Sequence, residues 1–152
     1  MKNPRLILEE VKNHLEMVKY ESEKIEEFGL SEENFESRDF LMLLDAFIFR
    51  FIKLQSALGE KLFPLVFEIL TGKPYTEVTF IDILNTLEKY GVIPSAQEWK
   101  RLRKLRNEFV HIYPWETDLK VEAVREALSK IPLMESVVKK IEGLINEKGS
   151  LI

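Results

Sequence analysis

The segment at residues 105–113 contains side chains that can act on phosphate: Arg106, Asn107, His111 and Tyr113. A guanidinium keeps its charge at every physiological pH and can hold two phosphate oxygens at once. An imidazole titrates near neutrality, so it can accept or donate a proton there. These residue types predict phosphodiester chemistry. The structural alternative is that cations in a late helical turn merely offset the helix dipole.

A predicted helix carries this segment. Ser95 and Glu98 have the spacing of a capping box at its start, and Pro114 directly follows the segment. The core face is predicted to contain Trp99, Leu102, Leu105 and Phe109. The next aromatic residue, Trp115, is predicted to pack over the helix end; the alternative is that it stacks on a base.

Arg106 and His111 project about 140° apart on an ideal helix, whereas Arg103, Asn107 and His111 share one stripe. One straight helix therefore does not easily aim Arg106 and His111 at the same atom. Either the helix deforms before Pro114, or a second copy of the helix completes the site. A two-fold dimer would bring two arginines and two histidines into one cleft.

Such a cleft suits cleavage of RNA. One imidazole can take the 2′-hydroxyl proton while another protonates the leaving oxygen, and arginine can stabilise the charge that develops on the non-bridging oxygens. The 2′-hydroxyl that this metal-free route needs is present only in RNA. Arg103 shares the stripe with His111, so we predict that it is an auxiliary phosphate contact.

Apolar periodicity predicts an all-α bundle of four principal helices with shorter pieces, in a single domain over residues 1–152. Gly59 is expected to break or bend the second helix, and Thr117 and Pro132 are expected to begin two separate helices at the end of the chain. The predicted helical ranges are 6–28, 40–58, 62–70, 79–90, the motif helix, 117–129 and 132 onward.

Two features of the first two helices have open interpretations. His14 lies among charged residues, which predicts a solvated surface side chain. The second helix has a second apolar strip, Leu41, Ile48 and Ile52, which either neighbouring helices or another subunit could cover. Asp45 is predicted to lie at the edge of such an interface.

Composition narrows the class of protein. The chain has 152 residues, a net charge of −4, no cysteine and two histidines. These counts exclude a disulfide framework and a zinc site built mainly from histidine, and they favour the cytoplasm. No apolar run approaches the length of a membrane span. Because the chain is acidic, nucleic-acid contact is expected only locally, at residues 100–106.

The motif resembles the signature of the HEPN superfamily, an arginine, a polar residue, a spacer and a histidine. The added Tyr113 is similar to the HepT branch, toxins encoded beside a minimal nucleotidyltransferase antitoxin. The short helix from Phe80 and the turn at residues 90–94, Tyr-Gly-Val-Ile-Pro, also resemble that branch. The resemblance covers roughly residues 40–128 and is clearest over 80–116.

The resemblance implies a HEPN-like helical homodimer that is a metal-independent endoribonuclease without a cofactor. Arg106 and His111 match the catalytic pair, and Asn107 matches the polar position. Tyr113 matches the tyrosine that a partner nucleotidyltransferase modifies with AMP, which would block the cleft and repel RNA phosphate. The first two helices are only loosely similar to the HepT branch.

Two other functions are compatible with the same residues. The chain could be a non-catalytic subunit of a minimal nucleotidyltransferase that binds a nucleotide or positions a substrate. It could also be a purely structural helical dimer. The first alternative predicts nucleotide binding without RNA cleavage, and the second predicts that His111→Ala has no effect.

Overall fold

The computed structural model describes residues 3–148, and within this range every regular element is helical. The all-α prediction is therefore confirmed for these residues. The α-helices are α1 (Pro4–Phe28), α2 (Arg38–Ser56), α3 (Phe63–Thr71), α4 (Phe80–Lys89), α5 (Ala96–His111) and α6 (Thr117–Lys148). Short 3-10 helices lie at Glu32–Glu36 and Tyr75–Glu77, and one π-helix lies at Ala57–Leu62.

Buried side chains from all six α-helices form one hydrophobic cluster. The inner face of α2 is an apolar seam with heptad spacing, and this seam is completely buried. Its members are Phe40, Leu44, Phe47, Phe51, Leu54 and, just past the end of α2, Leu58. The second strip of α2 is only half-buried, and Met42 and Phe49 on its outer side are exposed. This outer face of α2 is thus available to solvent in the single chain.

Gly59 does not break the helical path. It lies inside the π-helix that connects α2 to α3, and an added Cβ would come within 3.0 Å of two atoms of the Trp99 indole. The wider turn and the missing side chain let this large ring pack against the backbone. Trp99 is 1% exposed and its ring lies 4.5 Å from that of Phe63, which confirms its predicted place in the core.

The cap of α4 is a complete capping box, whereas the cap of α5 differs from the prediction. At α4, Thr79 and Asp82 form a complete capping box, with both reciprocal hydrogen bonds at 3.1 Å. At α5, Ser95 accepts from the Glu98 amide, but the second cap comes from α4, where Glu88 accepts from the backbone N–H of Ala96 at 2.7 Å. A carboxylate from the preceding helix thus helps to position the start of α5.

The C-terminal helix α6 is continuous from Thr117 to Lys148, so the prediction of two helices divided at Pro132 was wrong. Pro132 lies inside α6 and is exposed. Buried residues on both sides of it, including Ile131 and Met134, belong to the same core, which keeps the two halves in one helical path. Thr117 does not cap the helix with its side chain; its hydroxyl donates to Glu32 at 2.8 Å.

None of the helices within residues 3–148 combines the length and the apolar character needed to cross a membrane.

Candidate functional site

The predicted site residues lie on the part of α5 that does not face the core. Leu102, Leu105 and Phe109 are buried, as predicted, and hold α5 against the bundle. The opposite side, which includes Asn107 and His111, is exposed. This arrangement follows from the helical period, because residues three and four apart share a face.

Arg106 lies on the flank of α5 that contacts α2. Its guanidinium donates to the Ser56 hydroxyl at 3.0 Å and to Glu60 at 2.7 Å. The arginine side chain is 20% exposed, whereas that of Glu60 is 53% exposed. This ion pair holds Arg106 at the junction of α2 and the π-helix, and its exposure makes it accessible to a competing anion.

His111 lies on the other flank, in a groove between α5 and α6 with a volume of about 440 Å³. The floor of the groove is apolar, with Ile112, Leu119 and Ala123. Arg106 is not among the residues that line it. The structure therefore does not bring Arg106 and His111 to one point in a single chain, as the helical geometry predicted.

Four glutamates line this groove together with His111: Glu108, Glu116, Glu122 and Glu126. Among the described residues that line the groove, Arg101 is the one lysine or arginine; it donates to Glu108 at 3.2 Å and makes two hydrogen bonds to Glu126. The hydrogen bond from Arg101 lowers the pKa of Glu126, and the same contact raises the pKa of Arg101. The groove is acidic overall.

Tyr113 and Trp115 form an exposed aromatic pair just beyond α5. Their rings are parallel within 4° and their centroids are 4.7 Å apart. Tyr113 is 58% and Trp115 is 74% exposed, so Trp115 does not pack over the helix end as predicted. The backbone N–H of Tyr113 donates to Glu116 at 2.9 Å, and the N–H of Glu116 donates back to the Tyr113 carbonyl at 3.0 Å. The turn that carries the pair is therefore fixed to the groove.

Arg103 contacts α4. Its guanidinium lies 4.5 Å from the centroid of the Phe80 ring. A stacked guanidinium still presents its N–H edges, so contact between Arg103 and phosphate stays a prediction.

A second polar cluster, which the sequence did not reveal, joins α1 to α2. Nδ1 of His14 lies 3.1 Å from an Arg50 nitrogen, and its Nε2 lies 3.2 Å from Glu10. Arginine only donates, so Nδ1 must accept and Nε2 must carry the proton. The His14 side chain is 13% exposed, and its predicted solvated position was therefore wrong.

Glu21 belongs to the same region and is 7% exposed, with one carboxylate oxygen that has no hydrogen-bond partner among the described residues. Burial raises its pKa, and the charge of Arg50 partly offsets this effect. For Glu10, burial also raises the pKa, but hydrogen bonds from Lys61 and His14 outweigh it, so the pKa is lowered. In the apolar series of α1, Glu21 occupies the position between Val18 and Ile25 where an apolar residue is expected. This interruption is the sequence signal from which a buried acid could have been predicted.

No group of three or more histidine, aspartate and glutamate side chains within residues 3–148 is arranged to hold a metal ion. No family model, curated protein or solved structure matches the chain, so its resemblance to HEPN proteins stays a prediction.

Proposed function

We propose that the protein is a metal-independent endoribonuclease of the HEPN type and the toxin of a pair with a minimal nucleotidyltransferase antitoxin. The observation that carries the proposal is the placement of α5. This helix presents His111 to solvent at its end and a partly exposed Arg106 one and a half turns earlier. Both are accessible to a second molecule, as a composite site requires.

A second copy is needed for two reasons. Arg106 and His111 lie on opposite flanks of α5, so one chain does not direct both at the same phosphate. The glutamates around His111 would also repel a phosphate unless a cation from outside the groove offset them. Arg106 of the second copy is the proposed cation. The exposed outer face of α2, with Met42 and Phe49, offers apolar area for the dimer contact.

The proposed reaction uses one imidazole as a base and the other as an acid. The first takes the proton of the 2′-hydroxyl, and the 2′ oxygen then attacks phosphorus. The bond to the 5′ oxygen breaks, and the second imidazole protonates that oxygen. The products are a 2′,3′-cyclic phosphate and a 5′-hydroxyl. The guanidinium of Arg106 would bind the non-bridging oxygens, and nearby carboxylates would stabilise the imidazolium that forms.

Tyr113 is the proposed site of regulation by the nucleotidyltransferase. Its exposure and its position two residues after His111 support this role. Transfer of AMP from ATP to the phenol oxygen would release pyrophosphate and place a bulky anion beside the imidazole. The adduct would then obstruct the cleft and repel RNA.

Purified protein should cleave single-stranded RNA in the presence of EDTA, and His111→Ala and Arg106→Ala should each reduce the rate by at least about a hundredfold. Glu60→Gln is the matched control for Arg106, because it removes the same ion pair but keeps the guanidinium. This variant should remain active. Cleavage at the wild-type rate by both alanine variants would refute the proposal.

The acidic groove favours a second candidate, a non-catalytic subunit of a nucleotidyltransferase. The carboxylates that line the groove with His111 suit contact with a partner protein better than contact with an RNA backbone. This candidate predicts a stable complex with the nucleotidyltransferase, nucleotide binding that weakens in Arg106→Ala, and no cleavage of RNA. The EDTA-resistant cleavage assay separates the two functions.

A further inference from the structure

The groove between α5 and α6 has the size and lining of a binding site for side chains. Its volume of about 440 Å³ is within the range of about 300–1,000 Å³ that is typical of ligand pockets. Its apolar floor can bury aliphatic groups, and its rim is charged. An occupant that fits must therefore combine apolar and charged groups.

The charged residues of the groove determine which charge its occupant should have. Arg101 is shared between Glu108 and Glu126, which leaves an excess of negative charge in the groove. Within residues 3–148, no salt bridge neutralises Glu116 or Glu122. A cationic group could approach either carboxylate, whereas a phosphate would be repelled.

The aromatic pair beside the groove favours arginine among the cations. Glu116 lines the groove and also accepts a hydrogen bond from the Tyr113 backbone, so the turn that carries the stacked rings of Tyr113 and Trp115 is attached to one carboxylate of the groove. A guanidinium stacks on an aromatic face and binds a carboxylate through its edge at the same time. An ammonium has no planar face with which to stack.

We propose that this groove binds an arginine-bearing segment of a partner protein. The carboxylates attract the guanidinium, the aromatic pair gives it a stacking surface, and the apolar floor accepts a neighbouring aliphatic side chain. A free polyamine would leave that floor uncovered, and RNA would bring phosphates to the carboxylates. Charge complementarity thus favours a peptide segment.

Such a segment would cover His111, which lines the same groove. If His111 acts on RNA, the segment would inhibit cleavage by occupying the groove, independently of any modification of Tyr113. This consequence rests on the proposed ribonuclease function. Binding of the segment does not, because it depends only on the carboxylates, the floor and the aromatic pair.

The test uses the full chain and a fluorescently labelled short peptide of alternating leucine and arginine, with binding followed by fluorescence anisotropy. The same peptide with citrulline, which is neutral and of similar shape, is the ligand control. We expect saturable binding of the arginine peptide that is at least about tenfold tighter than that of the citrulline peptide.

Glu122→Lys should weaken the affinity for the arginine peptide by about tenfold, and Trp115→Ala by about threefold. Glu26→Lys is the matched control: it makes the same change of net charge at an exposed position of α1 and should leave the affinity unchanged. Equal weakening by Glu26→Lys and Glu122→Lys would overturn the inference. Equal binding of both peptides, or competition by single-stranded RNA but not by unlabelled arginine peptide, would also overturn it.

The cleavage assay keeps the two proposals apart. If the protein binds the peptide but leaves RNA intact, the ribonuclease proposal is refuted and the proposed peptide-binding groove is supported. If it cleaves RNA but does not bind the peptide, the proposed peptide-binding groove is refuted and the ribonuclease proposal is supported. If both hold, the arginine peptide should inhibit cleavage by the wild type, and Glu122→Lys should resist that inhibition.

Discussion

Gly59 and Trp99 show how a single position determines local packing. The indole lies so close to the glycine that a Cβ would approach two ring atoms at 3.0 Å, and the buried ring has little room to move. Within a close-packed interior, such an overlap displaces side chains or backbone. Glycine is therefore required here by close approach, even though it normally weakens a helix.

Gly59→Ala should lower the free energy of unfolding by about 1–3 kcal/mol, because the overlap outweighs the gain in helix propensity. Gly143→Ala is the control. Gly143 lies in α6, and a Cβ added there would contact nothing within 4 Å except its chain neighbours and the backbone of its own helix, so its substitution should stabilise the protein by up to about 1 kcal/mol. Urea unfolding followed by circular dichroism measures both changes. Equal effects of the two substitutions would contradict the proposed packing role of Gly59.

Glu21 is a buried acid whose stability contribution has the opposite sign from that of an ion-paired carboxylate. Burial raises its folded pKa above the ordinary value of 4.5. Between those two pKa values the folded state binds more protons than the unfolded state, so its contribution to stability falls as pH rises through this window. The free-energy cost of ionising this buried carboxyl group is therefore present at neutral pH.

Glu21→Gln removes this cost, so we expect it to increase the free energy of unfolding more at neutral pH than at low pH. Glu135→Gln is the contrast. Its hydrogen bond to Lys19 lowers the pKa of Glu135, so its contribution is present at neutral pH and is lost as pH falls through the folded pKa. Thermal unfolding over a series of pH values should show opposite slopes for the two differences from wild type. If the difference in stability between Glu21→Gln and the wild type is the same at every pH, then the raised pKa of Glu21 is refuted.

At the scale of elements, α6 shows why local signals mislead at proline. Pro132 cannot donate a backbone hydrogen bond and favours the first turn of a helix, so a new helix was the natural prediction. The apolar stripe, however, continues across it through Ile131, Met134 and Val138, all of which are buried. The burial of this long stripe stabilises the helix enough for it to continue past Pro132, although proline weakens a helix.

Pro132→Ala should raise the unfolding free energy by up to about 3 kcal/mol, because it restores a backbone donor and removes the ring clash. The proline is exposed, so little packing is lost. Thermal unfolding measures the change, and Leu133→Ala at the adjacent half-buried position should destabilise the protein instead. A lower unfolding temperature for Pro132→Ala would show that the bundle depends on a bend at this point.

At the scale of the whole molecule, the placement of Arg106 and His111 makes oligomerisation decisive for the proposed ribonuclease. The two groups lie on opposite flanks of α5, so activity should depend on protein concentration. The outer face of α2 and the exposed residues at the end of α5, among them Phe49 and Val110, are the apolar surface that a dimer would cover.

An excess of His111→Ala chains should lower the activity of the wild type by more than dilution does. Unfolding and refolding the two chains together gives mixed dimers, and each mixed dimer keeps both guanidinium groups but only one of the two imidazoles that the proposed reaction uses. The cleavage rate of the refolded mixture, compared with that of refolded wild type at the same amount of wild-type chain, measures this effect. Wild-type monomer that is active at low concentration, or an unchanged rate in a mixture shown to contain mixed dimers, would exclude a composite site.

The sequence by itself determined the helical class, most helix boundaries and the core face of α5. These properties follow from apolar periodicity and short-range capping, which act between residues close in the chain. It also determined that Arg106 and His111 diverge, because helix geometry sets the angle between them.

Only the tertiary structure decided which neighbours these side chains have. The pairing of Arg106 with Ser56 and Glu60 joins residues about fifty positions apart, and the acidic groove around His111 depends on the docking of α6. The burial of His14 likewise depends on Arg50 of another helix. Such contacts are set by how helices pack on one another, and the local pattern of residues contains no direct measure of that packing.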